Sequence, residues 1–389
     1  MSTTLWNNRL QEISRRGLKR RMKTVTGPVG PEIKTPDGTK LLFCSNDYLG
    51  LACNPRIATA IASTTQSRGA GSGGSRLISG NSDIHNQLES SLATFLGTEK
   101  AVLFSTGYQA NVGALSSLTQ KGDQIFSDEL VHASIIDGCR LSKAKTHVFR
   151  HRDVTHLEDL LSKYRSNGIN LIVTDAVFSM DGDQAPLRAL VEIAKRFDAA
   201  LYVDEAHAFG VIGTQGRGLC DALGVADKVA IRMGTFGKAL GTFGAFIATK
   251  AAPADLMISR ARSLLYSTAT SAAIIEGMRE ALNLAQNADN LRSKLQQNID
   301  FFKIAASKAG LPKSPSETAI QPIHIGDSDK TMHVSSLLWD AGIFVQGIRP
   351  PTVAEGTSRL RITISASHEH HHIQQLVNTL SKALLKADQ

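Results

Sequence analysis

The sequence predicts an α/β fold, with a mostly parallel sheet in a large domain and a smaller α+β domain at the C-terminal end. Two patterns carry that expectation. From about residue 46 to 285, short apolar runs (101–104, 171–174, 201–203, 244–248) alternate with helical patterns, as βα units do. From 286 to 389 the character changes to a long polar helix (287–308), short strands near 320–325 and 359–364, and a closing helix. In that closing helix Ile373, Leu376, Val377, Leu380 and Leu384 form one apolar stripe. Residues 1–45 read as an arm: an opening helix, a Pro/Gly stretch at 27–31 and a hairpin turn at Pro36-Asp37-Gly38.

At 389 residues the chain is long enough for two domains. Its four cysteines, Cys44, Cys53, Cys139 and Cys220, form no CxxC pair and no zinc-finger spacing, so the expectation is a reducing compartment and no disulfide framework. No run approaches the ~20 apolar residues of a membrane span, and the N-terminus lacks a signal-peptide core, which makes the cytoplasm the expected location. The formal charge of +8 is spread along the chain without aromatic interleaving. That distribution argues against nucleic acid and suits attraction of an anionic substrate such as a coenzyme A thioester or an acidic carrier protein. The one dense basic run, Arg15 to Arg21, has the bland reading of a solvated helix end.

Three literal motif matches fail on context. Gly69-Ala70-Gly71-Ser72-Gly73-Gly74 fits GxGxxG but follows a helical pattern, whereas a dinucleotide fingerprint follows a strand. His368-Glu369-His370-His371-His372 fits HExxH, but too little chain follows for a third zinc ligand, and it reads as a solvated helix start; no metal is expected. Gly237-Lys238 lacks the Ser/Thr and the glycine spacing of a P-loop.

A different constellation survives. Lys238, in Gly234-Thr235-Phe236-Gly237-Lys238-Ala239-Leu240-Gly241, lies between small residues, where an amine can reach an aldehyde. An aldehyde cofactor of the pyridoxal phosphate (PLP) type also needs an acid at its ring nitrogen and anchors for its phosphate. Asp204 ends an apolar run, with His207 three residues on. Gly107 and Tyr108 open a helix whose free N–H groups suit a phosphate. His132 is a candidate to lie on the ring face. Each has a bland alternative when read alone: a surface lysine, a strand-end turn aspartate, an ordinary helix start, a structural histidine. Asp204, Ser179 and Gly107 all follow predicted strands, as does Lys238, and a parallel sheet gathers such positions at its carboxyl edge.

Six segments carry a resemblance over essentially the whole chain: Ser45-Asn46-Asp47-Tyr48-Leu49-Gly50-Leu51, Gly71-Ser72-Gly73-Gly74-Ser75-Arg76, Phe178-Ser179-Met180-Asp181-Gly182-Asp183, Asp204-Glu205-Ala206-His207, Thr235-Phe236-Gly237-Lys238 and Ile348-Arg349-Pro350-Pro351-Thr352-Val353. The sequence resembles the PLP-dependent α-oxoamine synthases of fold type I. The Arg-Pro-Pro-Thr-Val segment, with Gly356-Thr357 and Arg359-Leu360-Arg361 after it, favours the branch that uses L-alanine. The resemblance implies decarboxylative condensation of L-alanine with a pimeloyl thioester, on coenzyme A or acyl carrier protein, in biotin biosynthesis. A sibling activity using glycine, such as 2-amino-3-ketobutyrate ligase or 5-aminolevulinate synthase, is the alternative.

By the same resemblance, Lys238 holds the cofactor, Asp204 pairs the ring nitrogen, His207 and Ser179 contact the phenolic oxygen, and His132 stacks on the ring. Gly107, Tyr108 and Thr235 hold the phosphate, joined by Ser267 and Thr268 from the partner of a homodimer whose sites lie at the interface. Arg361 takes the amino-acid carboxylate, while Asn46, His132, Thr352 and Arg20 line the substrate path. Lys19 and Arg21 compete with Arg20 for that last place, and Ala208-Phe209 after His207 departs from the Gly-Thr of some relatives.

Overall fold

The computed structural model describes residues 2–387, which form two compact units: Asn46–Lys294, and the flanking segments up to Ser45 and from Leu295 onward. The sequence pattern changes at 285/286, in the last turn of the helix Ala272–Gln286; the division in space falls later, inside the helix Asp289–Lys308.

In the arm, the helix Ser2–Arg15 leads by an extended run into the hairpin β1 (Glu32–Thr35) and β2 (Gly38–Leu42), paired antiparallel with Glu32 opposite Leu41. The turn is fixed by the Thr35 hydroxyl, which donates to the Gly38 carbonyl at 2.8 Å and accepts the Asp37 N–H at 3.2 Å.

The 46–294 unit is built on a seven-stranded sheet of β3 (Lys100–Phe104), β4 (Gln124–Asp128), β5 (Lys145–Phe149), β6 (Asn170–Asp175), β7 (Ala200–Asp204), β8 (Ile231–Thr235) and β9 (Ala245–Thr249). Its order is β3-β9-β8-β7-β6-β4-β5. The pairings β5-β4-β6-β7-β8 are parallel and β9 is antiparallel to both neighbours, so six strands point one way and β9 alone is reversed. The connection 236–244 is too short for a crossover helix, so β9 returns antiparallel. β6, β8 and β9 are buried along their whole length, as helices on both faces require, and β6 and β9 coincide with apolar runs read from the sequence. Val102, Ile125, Val173, Tyr202, Met233 and Ile247 belong to one continuous core with the helix Gly107–Leu118.

In the other unit β10 (Ile320–Gly326), β11 (Ile343–Phe344), β12 (Gln346–Ile348) and β13 (Ser358–Thr363) complete two small sheets. β13 lies antiparallel between β10 and β12, and β11 adds parallel to β2. Ile373, Leu376, Val377 and Leu380 of the closing helix His370–Ala387 are buried, the stripe their spacing predicts.

One expectation is corrected here. The His368–His372 run is not wholly solvated. The His368 ring is buried, stacks on Phe43 at 4.2 Å between centroids, and lies 3.0 Å from the Leu42 carbonyl through Nε2. His372 is buried as well, whereas His370 and His371 are exposed. The end of β2 packs where the helix begins, and burial holds the His368 pKa down at about 4.

Candidate active site

Six strands pointing the same way place five chain segments at one edge of the sheet. Gly107 follows β3, His132 follows β4, Ser179 follows β6, Asp204 ends β7 with His207 beyond it, and Lys238 follows β8.

The helix Gly107–Leu118 is capped by Thr106, whose hydroxyl accepts the Gln109 N–H at 3.1 Å. The N–H groups of Gly107 and Tyr108, in its first turn, point out of the helix start without intrahelical acceptors. A Cβ at Gly107 would meet Met233 Cε at 2.7 Å, the end of a flexible side chain that would have to move aside. Around this start, the Ser267 hydroxyl lies 3.5 Å from the Gln109 amide, and Ser75 bridges Thr268. Ser267 and Thr268 thus lie beside the helix start of their own chain. The Thr235 hydroxyl donates to the Gly244 carbonyl at 2.9 Å and accepts the Gly237 N–H at 3.2 Å, which fixes the bend into Lys238. Gly241 ends that bend at φ +66°, where a Cβ would collide with the backbone of Leu51 and Ala52.

Lys238 is half-buried, and its Nζ lies 2.7 Å from Nε2 of His207. The other ring nitrogen, Nδ1, lies 2.7 Å from the Tyr48 hydroxyl, which donates to Asn46 Oδ1 at 3.1 Å. With the Tyr48 proton directed at Asn46, the phenol oxygen accepts from His207 Nδ1–H, and Nε2 accepts from the lysine. A second contact stiffens the same turn. Buried Glu205 takes two bonds from Arg232, at 2.8 and 2.7 Å, and the Cys220 N–H at 2.9 Å. Removing either member of such a pair strands a buried charge.

Asp204 is 5% exposed. Its Oδ1 accepts the Ala206 N–H at 2.9 Å and its Oδ2 accepts Asn111 Nδ2 at 2.7 Å. Asp175 pairs with Asp204 in the sheet register, and burial together with the Asp204 charge drives the Asp175 carboxyl well above the usual carboxylate range. His132 caps the helix Ala133–Ser142 through its ring. Burial, aided by the Lys238 charge, holds its pKa below the ordinary histidine value against the pull of Asp204.

His151 ties two of the segments together. Its Nδ1 lies 2.9 Å from Asp128 at the end of β4, and its Nε2 lies 2.8 Å from Asp183 in the loop that carries Ser179. Burial opposes the charged ring, but the two carboxylates outweigh it and raise its pKa to about 9. The ring also stands edge-on to Phe178 at 4.3 Å.

The remaining sequence candidates belong to the other unit. Arg20 Nη2 donates to the Thr352 hydroxyl at 3.0 Å, so of the three adjacent basic residues Arg20 is the one bonded to Thr352. Arg349 donates to the carbonyls of Gly17 at 3.1 Å and Lys19 at 3.3 Å. Arg361 is buried on β13, opposite Pro322 and Gln346. Cys44 is pushed up to about 12 by burial, against the charges of Arg361 and Lys23.

The donor set of the 46–294 unit fits PLP: one amine on an imidazole, one buried carboxylate held by two N–H donors, and a glycine-opened helix start. Tyr48, Asn111, Ser134 and His151 were not singled out from sequence. Asn111 had a signal, since it lies one helical turn after Gly107 and therefore on the same face.

Residues 38–380 match the family model "Aminotransferase class I and II". The sequence is similar to 8-amino-7-oxononanoate synthases of Citrifermentans bemidjiense, 46% identical over 96% of each chain, and of Trichlorobacter lovleyi, 44% identical over 98% of each. Among solved structures it resembles a serine palmitoyltransferase from S. paucimobilis with a bound PLP–myriocin aldimine (TM-score 0.93, 28% identity, 98% of this chain and 97% of that one). It also resembles the 8-amino-7-oxononanoate synthase of Francisella tularensis (TM-score 0.77, 31% identity, 89% and 98%). The fold-type-I expectation and the PLP expectation hold: this chain belongs to the class I and II aminotransferase family of PLP enzymes, in its 8-amino-7-oxononanoate synthase branch.

Proposed function

We propose that the protein condenses L-alanine with a pimeloyl thioester, releasing carbon dioxide and the free thiol and yielding 8-amino-7-oxononanoate for biotin biosynthesis. The observation that carries the site assignment is the Lys238 amine, 2.7 Å from the His207 imidazole at the sheet edge that also carries buried Asp204. When bound, PLP supplies an electrophilic aldehyde and a protonated ring that accepts the electron pair left at the alanine α-carbon.

The chain's own residues supply the rest. Lys238 would hold the cofactor through its aldehyde, and its amine would serve as the base for the alanine α-proton and the acid that returns it. His207, whose Nε2 already accepts from that amine, steadies it and, with Ser179, contacts the phenolic oxygen. Asp204 keeps the ring nitrogen protonated. The N–H groups of Gly107 and Tyr108, with Thr235, hold the phosphate, joined by Ser267 and Thr268 from the other subunit of the dimer. His132 stacks on the ring and donates to the thioester carbonyl oxygen as negative charge develops there. Arg361 takes the alanine carboxylate, Asn46 lines the substrate path, and Arg20 with Thr352 receives the acyl chain. The reading includes a homodimer with sites at its interface, and a cytoplasmic setting suits the four free thiols.

The test is a thiol-release assay crossing alanine and glycine with pimeloyl, acetyl and succinyl thioesters, on coenzyme A and on carrier protein. Alanine with a pimeloyl donor is the expected productive pair. Preferential turnover of glycine would move the protein to a sibling activity.

A further inference from the structure

His132, which caps the helix Ala133–Ser142, and Asp204, at the end of β7, are joined by two buried side chains, Asn111 and Ser134, with Tyr202 bonded to Asn111 from the side. Asn111, Ser134 and Tyr202 are each no more than 1% exposed. Asn111 Nδ2 donates to Asp204 Oδ2 at 2.7 Å and to Ser134 Oγ at 2.9 Å, while Asn111 Oδ1 accepts from the Tyr202 hydroxyl at 2.6 Å. The Ser134 hydroxyl lies 2.7 Å from His132 Nδ1.

Every bond in this chain has one permitted direction. Burial and the Asp204 charge hold the Tyr202 phenol well above its ordinary pKa, so it keeps its proton and donates. A reversed Asn111 amide would set its oxygen 2.7 Å from a carboxylate oxygen, two acceptors face to face. With both Asn111 N–H groups spent on Asp204 and Ser134, the serine oxygen already accepts one proton, and its own O–H turns to His132 Nδ1. The Ser134 backbone N–H also points to Nδ1, at 3.3 Å. Two donors at one ring nitrogen leave it no proton of its own.

We propose that Asn111 is a positioning residue that orients the Asp204 carboxylate and, through Ser134, fixes His132 as the tautomer with its proton on Nε2. The inference rests on the assignment of His132 and Asp204 to the cofactor site and deepens it. His132 is thereby set as a hydrogen-bond donor toward substrate, and a single amide serves both the ring nitrogen's partner and the ring-face histidine.

The test is 15N spectroscopy of histidine-labelled protein, with and without PLP, the His132 signal being assigned by its loss in His132→Gln. Wild type and Ser134→Thr should both show Nε2 protonated and Nδ1 bare. Ser134→Ala, which leaves Asp204 untouched and leaves Nδ1 only the longer backbone N–H contact at 3.3 Å in place of the 2.7 Å hydroxyl bond, should populate both tautomers, and so should Asn111→Ala. In the PLP-loaded enzyme, exchange of the alanine α-proton should fall by about ten- to hundredfold in Asn111→Ala, the range expected when a buried acceptor loses its donor. The proposal is overturned by a wild-type His132 protonated at Nδ1, or by a Ser134→Ala signal identical to wild type. If Asn111→Ala does not fold, the two Ser134 variants decide. A correct tautomer pattern in a protein that does not process alanine would retain the network and reject the proposed reaction.

Discussion

The Lys238 amine lies 2.7 Å from His207 Nε2, and the same imidazole is held from behind by Tyr48 at 2.7 Å. The amine therefore has a fixed partner within the protein itself, placed by the bend that Thr235 and Gly241 impose. Of the lysines in the sequence, Lys238 alone sits in a Thr-Phe-Gly-Lys setting, and the fold places it at the carboxyl edge of the sheet.

Replacing Lys238 with alanine removes the only group assigned to hold the aldehyde covalently. The purified wild-type protein should be yellow and should retain cofactor after borohydride treatment and denaturation. The variant should lose both trapped cofactor and turnover. Near wild-type activity in Lys238→Ala would sink the assignment.

Asp204→Asn keeps the size of the side chain and removes the charge proposed to keep the ring nitrogen protonated. PLP should still bind, because the helix start at Gly107 and the lysine are intact. Exchange of the alanine α-proton should drop by several powers of ten, each being ~1.4 kcal/mol of barrier. Equal exchange rates in variant and wild type would mean that another group protonates the ring.

Much of this site is legible in the sequence because strand-end residues follow short apolar runs: Asp204 after 201–203 and Gly107 after 101–104 need only the rule that parallel strands gather their carboxyl ends. What is not legible depends on which strands become neighbours. Nothing local in the sequence says that Asn111 meets Asp204 or that His151 bridges Asp128 and Asp183, residues 23 and 32 positions away in the chain. The misread His368 has the same origin, since its neighbours Leu42 and Phe43 come from the far end of the sequence. The reversal of β9 was legible in principle, from a connection too short for a crossover, but only once β8 and β9 are known to be neighbours.

The His151 bridge gives a pH signature. Its folded pKa of about 9 is raised above the ordinary value of 6.5, so its contribution to stability is complete below about pH 6.5 and is lost as pH rises through 9. His151→Gln should therefore lower the Tm most at pH 6 and progressively less toward pH 9.5. Thermal melts of both proteins across that range give the difference directly. A Tm gap that widens with pH would show that the ring is neutral in the folded protein.

Arg361 lies on β13, buried, with Arg359 two residues before it on the same face of the strand and buried too. In the proposed role its guanidinium would give a planar pair of N–H donors to the alanine carboxylate and so orient the bond to be broken. Lysine at this position keeps the charge and loses the fork. Arg361→Lys should therefore weaken alanine binding and turnover far more than PLP retention. The measurement is the alanine dissociation constant, taken from the change in the visible spectrum of the PLP-loaded protein, beside the rate of cofactor loss on dialysis. Equal alanine constants in the two proteins would assign the carboxylate to another cation. Arg349 would then be the first to replace, although its own guanidinium is already bonded to the Gly17 and Lys19 carbonyls.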